Sequence, residues 1–239
     1  MEKFFNKLVA DFTQTFIDGN RWQSLLESLG VTLELTLLAL VLGSVIGVVV
    51  AVVRSTYDQM LEQHKDPGVL GFFNKICVLY VTIIRGTPMM VQLLIMYFVI
   101  MASSTNTLLV ATLSFGCNSG AYVSEIIRGG IMSVDRGQTE AGRSLGLSYI
   151  QTMWFIVIPQ AIKNILPALG NEFIALLKET SIVNVIGMKD ITKWALNVQG
   201  RTYQAFMPFI GIAVIYLILV IILTKLVSML EKKMKTDVR

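Results

Sequence analysis

Thr202 to Thr224 reads TYQAFMPFIGIAVIYLILVIILT, 23 positions without a charged side chain. A helix of that length matches the hydrocarbon thickness of a bilayer, about 30 Å at 1.5 Å per residue. The stretch sets the environment against which the rest of the chain is read. Of 239 residues, 54% are apolar and 15% are charged, and mean hydropathy is +0.66. Soluble domains carry about 25% charged residues, so composition excludes an ordinary water-soluble globule. It predicts an all-α integral membrane protein.

Working outward, Lys225 ends this span, numbered fifth from the N-terminus, and a basic cytoplasmic tail covers 231–239. Before it, Lys178 to Gln204 mixes Lys189, Lys193, Trp194 and Arg201 into a short exterior helix with loops. Ile156 to Leu177 is the fourth span and holds Pro159, Pro167 and Glu172. Arg128 to about Thr152 is the longest polar stretch between spans, and its glycines predict short helices separated by turns. Leu108 to Ile127 is the third span, with Gly116 and Gly120 four apart and Glu125 near its end. Ser103 to Asn106 makes a tight exterior turn.

Ile76 to Met101, the second span, is interrupted by Arg85, Gly86, Thr87 and Pro88. Proline removes a helix donor and opposes the preceding turn, so the span kinks or restarts there. Arg54 to Lys75, with Pro67 and Gly68, is a polar loop or a short surface helix. Val31 to Val53 is the first span, with a single charge, Glu34, and Gly43 and Gly47 at the spacing that lets helix backbones approach closely. Residues 1–30 carry Lys3, Lys7, Asp11, Asp18, Arg21 and Glu27, too many charges for the apolar centre of a secretory signal. Phe5, Leu8, Val9, Phe12 and Phe16 recur at helical spacing there. This exterior arm either lies flat at the interface as an amphipathic helix or packs on the bundle.

Cys77 and Cys117 lie in apolar segments, which gives neither a disulfide scaffold nor a thiolate metal site. The single histidine, His64, sits in a polar loop, so intramembrane zinc or Ser-His chemistry lacks its central residue. The net charge of +4 comes without a basic block suited to nucleic acid and fits cytoplasmic flanks facing anionic lipid. Segments 54–75, 128–155 and 225–239 hold eleven Lys and Arg against seven in 1–30, 102–107 and 178–204. That bias predicts an exterior N-terminus and a cytoplasmic C-terminus.

Residues 140–146 read EAGRSLG, and thirteen positions after Gly146 the run IVIP closes at Pro159. This resembles the EAA loop of ABC importer permeases: E-A-A, three residues, G, nine residues, I-x-L-P. Glu140, Ala141, Gly146, Ile156 and Pro159 match in place, while Gly142 stands where a second alanine is usual and Ile158 where leucine is. Small residues such as Ala141 and Gly142 permit close approach to a partner. Glu140 can cap a helix or meet a basic group, and Gly146 allows a turn. Three further strings, RGTPMMVQ from Arg85, GAYVSEIIRGGI from Gly120 and GNEFIALLKETS from Gly170, are closely similar to the polar amino acid permease family of ABC importers, of the glutamine/arginine/histidine type.

The resemblance covers about Ser28 to Leu230. It implies five transmembrane helices in the type I ABC importer permease fold, within a transmembrane domain at 31–230 whose cytoplasmic coupling loop spans about 128–155. It implies a bacterial cell membrane location and, as partners, a cytoplasmic ABC ATPase dimer, a second permease chain (homodimer or paralogue), an extracytoplasmic solute-binding protein, a polar amino acid substrate and membrane lipid. No GxxxxGK[S/T] loop occurs in the sequence, so ATP and Mg are left to the partner ATPase and no cofactor is assigned to this chain.

Polar residues inside the spans are the candidates for the substrate pathway, since they normally face a cavity or a partner. Glu172, with Asn171, receives a substrate ammonium or else fixes the bundle through an interhelical hydrogen bond. Arg85 and Thr87 flank the break before Pro88, as a gate or as structure, with Gln92 one turn deeper as the cavity residue. Lys178, Glu179 and Thr180 form a surface ion pair or an exterior gate, and Glu125 and Arg128 a local pair. A different class, an ion-coupled secondary amino acid transporter built on the broken span, does not need the EAA-like loop. Five spans also give it no inverted repeat of equal halves. An intramembrane hydrolase is disfavoured by the position of His64 and the absence of GxSxG.

Overall fold

The structure, a computed structural model, describes residues 1–62, 64 and 66–236. Among the described residues all regular structure is helical: α1 (Glu2–Phe12), α2 (Arg21–Glu62), α3 (Gly68–Gly86), α4 (Met89–Ile95), α5 (Thr107–Met132), α6 (Arg136–Ser144), α7 (Tyr149–Thr152), α8 (Ile158–Glu179), α9 (Ile191–Thr202) and α10 (Phe206–Thr236). π-helical turns over Thr13–Ile17, Met96–Ile100 and Met153–Val157 extend α1 and α4 and join α7 to α8.

Helix ends differ from the span ends read from charge. α2 starts ten residues before Val31 and continues through Arg54 to Glu62, so most of the polar stretch anticipated as a loop or a short surface helix is helix, continuous with the span rather than separate from it. Charge marks where a helix leaves lipid, whereas the helix continues until a breaker intervenes, and Pro67 and Gly68 are the first breakers after Arg54. α10 likewise runs past Lys225 to Thr236, so the described part of the basic tail is helical, and residues 237–239 lie outside the described set.

The break before Pro88 is where the proline places it. α3 ends at Gly86, Thr87 is extended (φ −122°, ψ 147°) and α4 starts after Pro88, as the clash between a proline ring and the preceding residue requires. Four helical stretches, Glu2–Leu61, Gly68–Gly86, Tyr149–Ile186 and Phe206–Met234, are long and apolar enough to cross a membrane. α5, 26 residues long, is not among them, because it carries Ser114, Asn118, Ser119 and Ser124. All four are buried.

α5 is buried against α2 through two interlocking glycine pairs. A Cβ on Gly43 would meet Ser119 Cβ at 2.8 Å, and one on Gly47 would meet Val123 Cγ1 at 2.5 Å. Reciprocally, Gly116 and Gly120 sit against Leu42 and Ile46. Both pairs noted in the sequence therefore face one another, and backbone proximity replaces the missing hydrophobic drive. Leu35, Ala39, Ala111, Phe115, Leu176 and Val183 fill the core between α2, α5 and the end of α8.

A second core joins Leu25 of α2 to Ile191, Trp194, Ala195 and Val198 of α9 and Ile212 of α10. The short helix anticipated here is present, and α9 packs an apolar stripe at i, i+3, i+4 and i+7 into this core. The outer faces of α3 and α10 leave Phe72, Phe73, Leu79, Leu217, Ile218 and Ile221 exposed, as lipid-facing surface requires.

Candidate functional site

The broken span and α8 each make polar contacts to α5 within the bundle. Thr87 Oγ1 donates to Ile83 O at 2.8 Å. Gln92 Nε2 donates to Ile84 O at 2.7 Å, to Thr87 Oγ1 at 2.8 Å and to Thr87 O at 3.1 Å. Ile84 O is the carbonyl whose helical donor would be the N–H that Pro88 lacks, so the Gln92 amide closes the end of α3. Its Oε1 accepts from Asn118 Nδ2 at 2.9 Å. The next residue, Ser119, donates from Oγ to Glu172 Oε1 at 2.8 Å.

Gln92, bonded to Thr87, and Glu172 are each tied to α5, the first through Asn118 and the second through Ser119, two buried residues not named from the sequence. The signal was present: both are polar and lie in the middle of Leu108 to Ile127, the same criterion that selected Glu172. Asn171 is exposed. Arg85 stands over the ring of Tyr122 with Cζ 5.2 Å from its centroid, a cation–π contact between the end of α3 and α5. Lys178 and Glu179 are exposed and form no ion pair with each other, because adjacent helical residues do not face one another. Thr180 is buried and donates to Leu177 O at 2.9 Å.

At the other end of α5, Arg128 Nη2 meets Glu125 Oε2 at 3.1 Å, the local pair anticipated. Arg54 of α2 donates to the second oxygen of the same carboxylate, 71 positions away in sequence. Glu125 thus ties α2 to α5 beyond the glycine seam. Beside this triad a cavity of about 560 Å³ opens between Ser55 and Asp58 of α2, Arg128 of α5 and Glu140, Tyr149 and Met153 of the loop.

The loop itself is two short helices and two turns. Asp135 caps α6 by accepting from Gly137 N at 2.7 Å, and Ser148 caps α7 with Gln151 in a reciprocal box. Glu140, anticipated as a cap or as an acid for a basic partner, sits mid-helix in α6, so capping falls to Asp135 and Glu140 is exposed with Ala141. Gly142 is buried, and a Cβ there would lie 2.8 Å from Ile156 Cδ1 and 2.9 Å from Thr152 Cγ2. This gives the departure from alanine a packing reason. Gly146 has φ +87°, the left-handed turn that favours glycine. Pro159 lies in the first turn of α8, where no donor is lost. Around this loop Leu145, Ile150, Trp154 and Phe155 are exposed by 82, 67, 64 and 72%.

Residues 69–236 match the family model described as binding-protein-dependent transport system inner membrane component. The chain belongs to that family. The match starts after α2 and contains Thr87, Gln92 and Glu172 and the whole loop. This inner membrane component is 42% identical over 161 residues to the arginine transport system permease protein ArtQ of Bacillus subtilis, covering 66% of this chain and 74% of that one. It is 34% identical over 166 residues to the glutamine transport system permease protein GlnP of Escherichia coli K12, covering 68% and 76%. Among solved structures it resembles a crystal structure of an amino acid ABC transporter with histidines, with 40% identity, a TM-score of 0.79 and coverage of 88% of this chain and 94% of that chain. Its fold is the all-helical type I permease fold, and it is a multi-pass protein of the cell membrane.

Proposed function

We propose that this chain is the permease subunit of an ATP-driven, binding-protein-dependent importer of polar amino acids, and that it forms the translocation pathway. The observation that carries the coupling role is the 140–146 loop. α6 presents Glu140 and Ala141 outward on a helix fixed by Gly142 and Gly146, and it is flanked by exposed Leu145, Ile150, Trp154 and Phe155. Exposed aromatic and aliphatic groups on a polar loop are the surface that a partner protein covers. That partner is a cytoplasmic ATPase dimer holding ATP and Mg, and this chain binds no cofactor.

α5 counts as a fifth span because α2 and α8 bury its polar residues, so five helices cross with the N-terminus outside and the C-terminus inside. A second permease chain, identical or paralogous, completes the pathway, and an extracytoplasmic binding protein delivers the substrate. Gln92 and Glu172 stand along the pathway, where a carboxylate and an amide match an ammonium group or a cationic side chain. ATP closure of the motor draws the loops together and turns the bundle outward, and hydrolysis resets it.

The test is amino acid uptake into proteoliposomes holding the chain with its ATPase, with and without internal ATP and added binding protein. Uptake that needs both supports the reading, while uptake driven by an ion gradient without ATP overturns it. Glu140→Lys is expected to leave ATPase activity measurable and abolish its coupling to uptake, and undiminished uptake in that variant removes the loop from the mechanism.

A further inference from the structure

The arm before the first span is outside the family match, and its structure has an unpartnered side. α1 with its π-helical end forms one rod over 2–17, roughly 24 Å long. Phe5, Val9 and Phe12 lie on a single stripe at i, i+4 and i+7, and they are exposed by 66, 49 and 51%, with Phe4 exposed by 71% beside them. Lys3 and Lys7 project from roughly the opposite side of the rod. The stripe continues into Phe16, which is anchored in the bundle: its ring stacks on Trp194 at 5.6 Å and approaches Gly211 so closely that a Cβ there would lie 2.4 Å from Phe16 Cζ.

Polar bonds hold the rod at one level. Gln204 Nε2 donates to Asp11 Oδ1 at 3.0 Å and to Gln14 Oε1 at 2.9 Å, and Arg21 donates to Gln14 O. Gln204 lies two residues before α10, near the start of the charge-free stretch, so the rod is pinned beside the start of a helix long and apolar enough to cross a membrane. Trp22, beside Arg21, and Tyr203 and Phe206, on either side of Gln204, are exposed (45, 91 and 68%), the residue type enriched at a membrane–water interface. Between rod and span the chain kinks at Gly19 (φ +61°) and Asn20 (φ +53°), both left-handed. α2 therefore does not simply extend α1.

We propose that residues 2–17 are an in-plane membrane anchor, with Phe5, Val9 and Phe12 inserted among phospholipid acyl chains at the interface and Lys3 and Lys7 turned to water and headgroups. The occupant of the stripe is lipid because through Phe16 it runs onto α10 at Gly211, where Ile210 and Val214 are exposed as lipid-facing surface, and because Gln204 pins the rod beside the start of that helix. An amphipathic helix in this position gains from burying its apolar face 5–10 Å into the boundary, by the general behaviour of such helices. The inference rests on the membrane reading of α2 and α10 and is independent of substrate and coupling.

The photoreactive residue p-benzoylphenylalanine, placed singly at Phe5, Phe12 or Lys7 of the full chain with its ATPase and binding protein, reads what each side touches. The assembly is held in nanodiscs of phosphatidylethanolamine and phosphatidylglycerol, and adducts are identified by mass. Lipid adducts at Phe5 and Phe12 with none at Lys7 are expected. Adducts from Phe5 and Phe12 to a second permease copy or to the binding protein overturn the proposal, as do equal lipid yields at all three positions. Val9, on the same stripe, provides an independent site should either phenylalanine position lower the folded yield, and its adduct must also be lipid.

Discussion

Ser119 of α5 donates a 2.8 Å hydrogen bond to Glu172 of α8, joining the helix that is locked to α2 with the helix that follows the EAA-like loop. Glu172→Gln keeps an acceptor oxygen for Ser119 and removes the charge. The variant is expected to unfold at the wild-type temperature while uptake falls on the order of tenfold, equivalent to about 1.4 kcal/mol. Glu172→Ala leaves a buried hydroxyl unpaired and is expected to lower stability by about 1–3 kcal/mol. Paired thermal unfolding and uptake assays separate the two roles, and full uptake by the glutamine variant assigns the pair to bundle structure alone.

Gly47→Ala drives a methyl to within 2.5 Å of Val123 Cγ1 and 3.0 Å of Ser124 N, a backbone atom that has no room to yield. Overpacking of this kind costs about 1–3 kcal/mol. Gly129→Ala, on the same α5 but with nothing within 4 Å of the new carbon, is expected to be neutral or to stabilise by up to about 1 kcal/mol. Denaturation of both variants in detergent checks the contrast.

Glu125 accepts from Arg54 and Arg128. Losing the carboxylate strands two guanidinium groups, whereas losing Arg54 leaves Glu125 with Arg128. Glu125→Gln is therefore expected to destabilise more than Arg54→Ala, by about 1–3 kcal/mol, since the groups are partly exposed and screened. Equal losses in the two single variants would show that Arg128 shares no load.

Asp190 caps α9, accepting from Thr192 N and Lys193 N at 3.0 Å each. Burial pushes its carboxyl above the ordinary value of 3.8, against the lowering effect of those backbone donors. The folded state then holds its proton more tightly than the unfolded one. Stability therefore falls as pH rises from the ordinary value through the raised one, and the loss is complete above it. Asp190→Asn keeps a capping oxygen and should flatten this part of a pH–unfolding profile, whereas Asp190→Ala loses the cap at a cost of about 0.5–2 kcal/mol.

The positions of the spans were legible because long apolar runs and Pro88 act locally. Helix ends were not, because Arg54 ends a lipid contact without ending the backbone ladder that reaches Glu62. α9 was legible as a short helix between spans, but Lys189, Lys193 and Arg201 dominate its composition and mask the spacing of Ile191, Trp194, Ala195 and Val198, which describes a buried stripe. At the site, residue type pointed to Gln92 and Glu172. Their link through Asn118 and Ser119, and the partnership of Arg54 with Glu125 across 71 positions, are set by how α2, α5 and α8 pack.

The interlocked glycines of α2 and α5 carry a consequence for biogenesis. On its own α5 offers the insertion machinery a segment studded with serine and asparagine, which partitions poorly into lipid. α2, emerging earlier from the ribosome and already apolar enough to stay, supplies the notch that accepts it. Assembly order is thus set by the seam: α5 can pack its polar residues only once α2 is in place, and a bulky residue at Gly43 or Gly47 is expected to leave them without that notch before any transporter exists to be impaired.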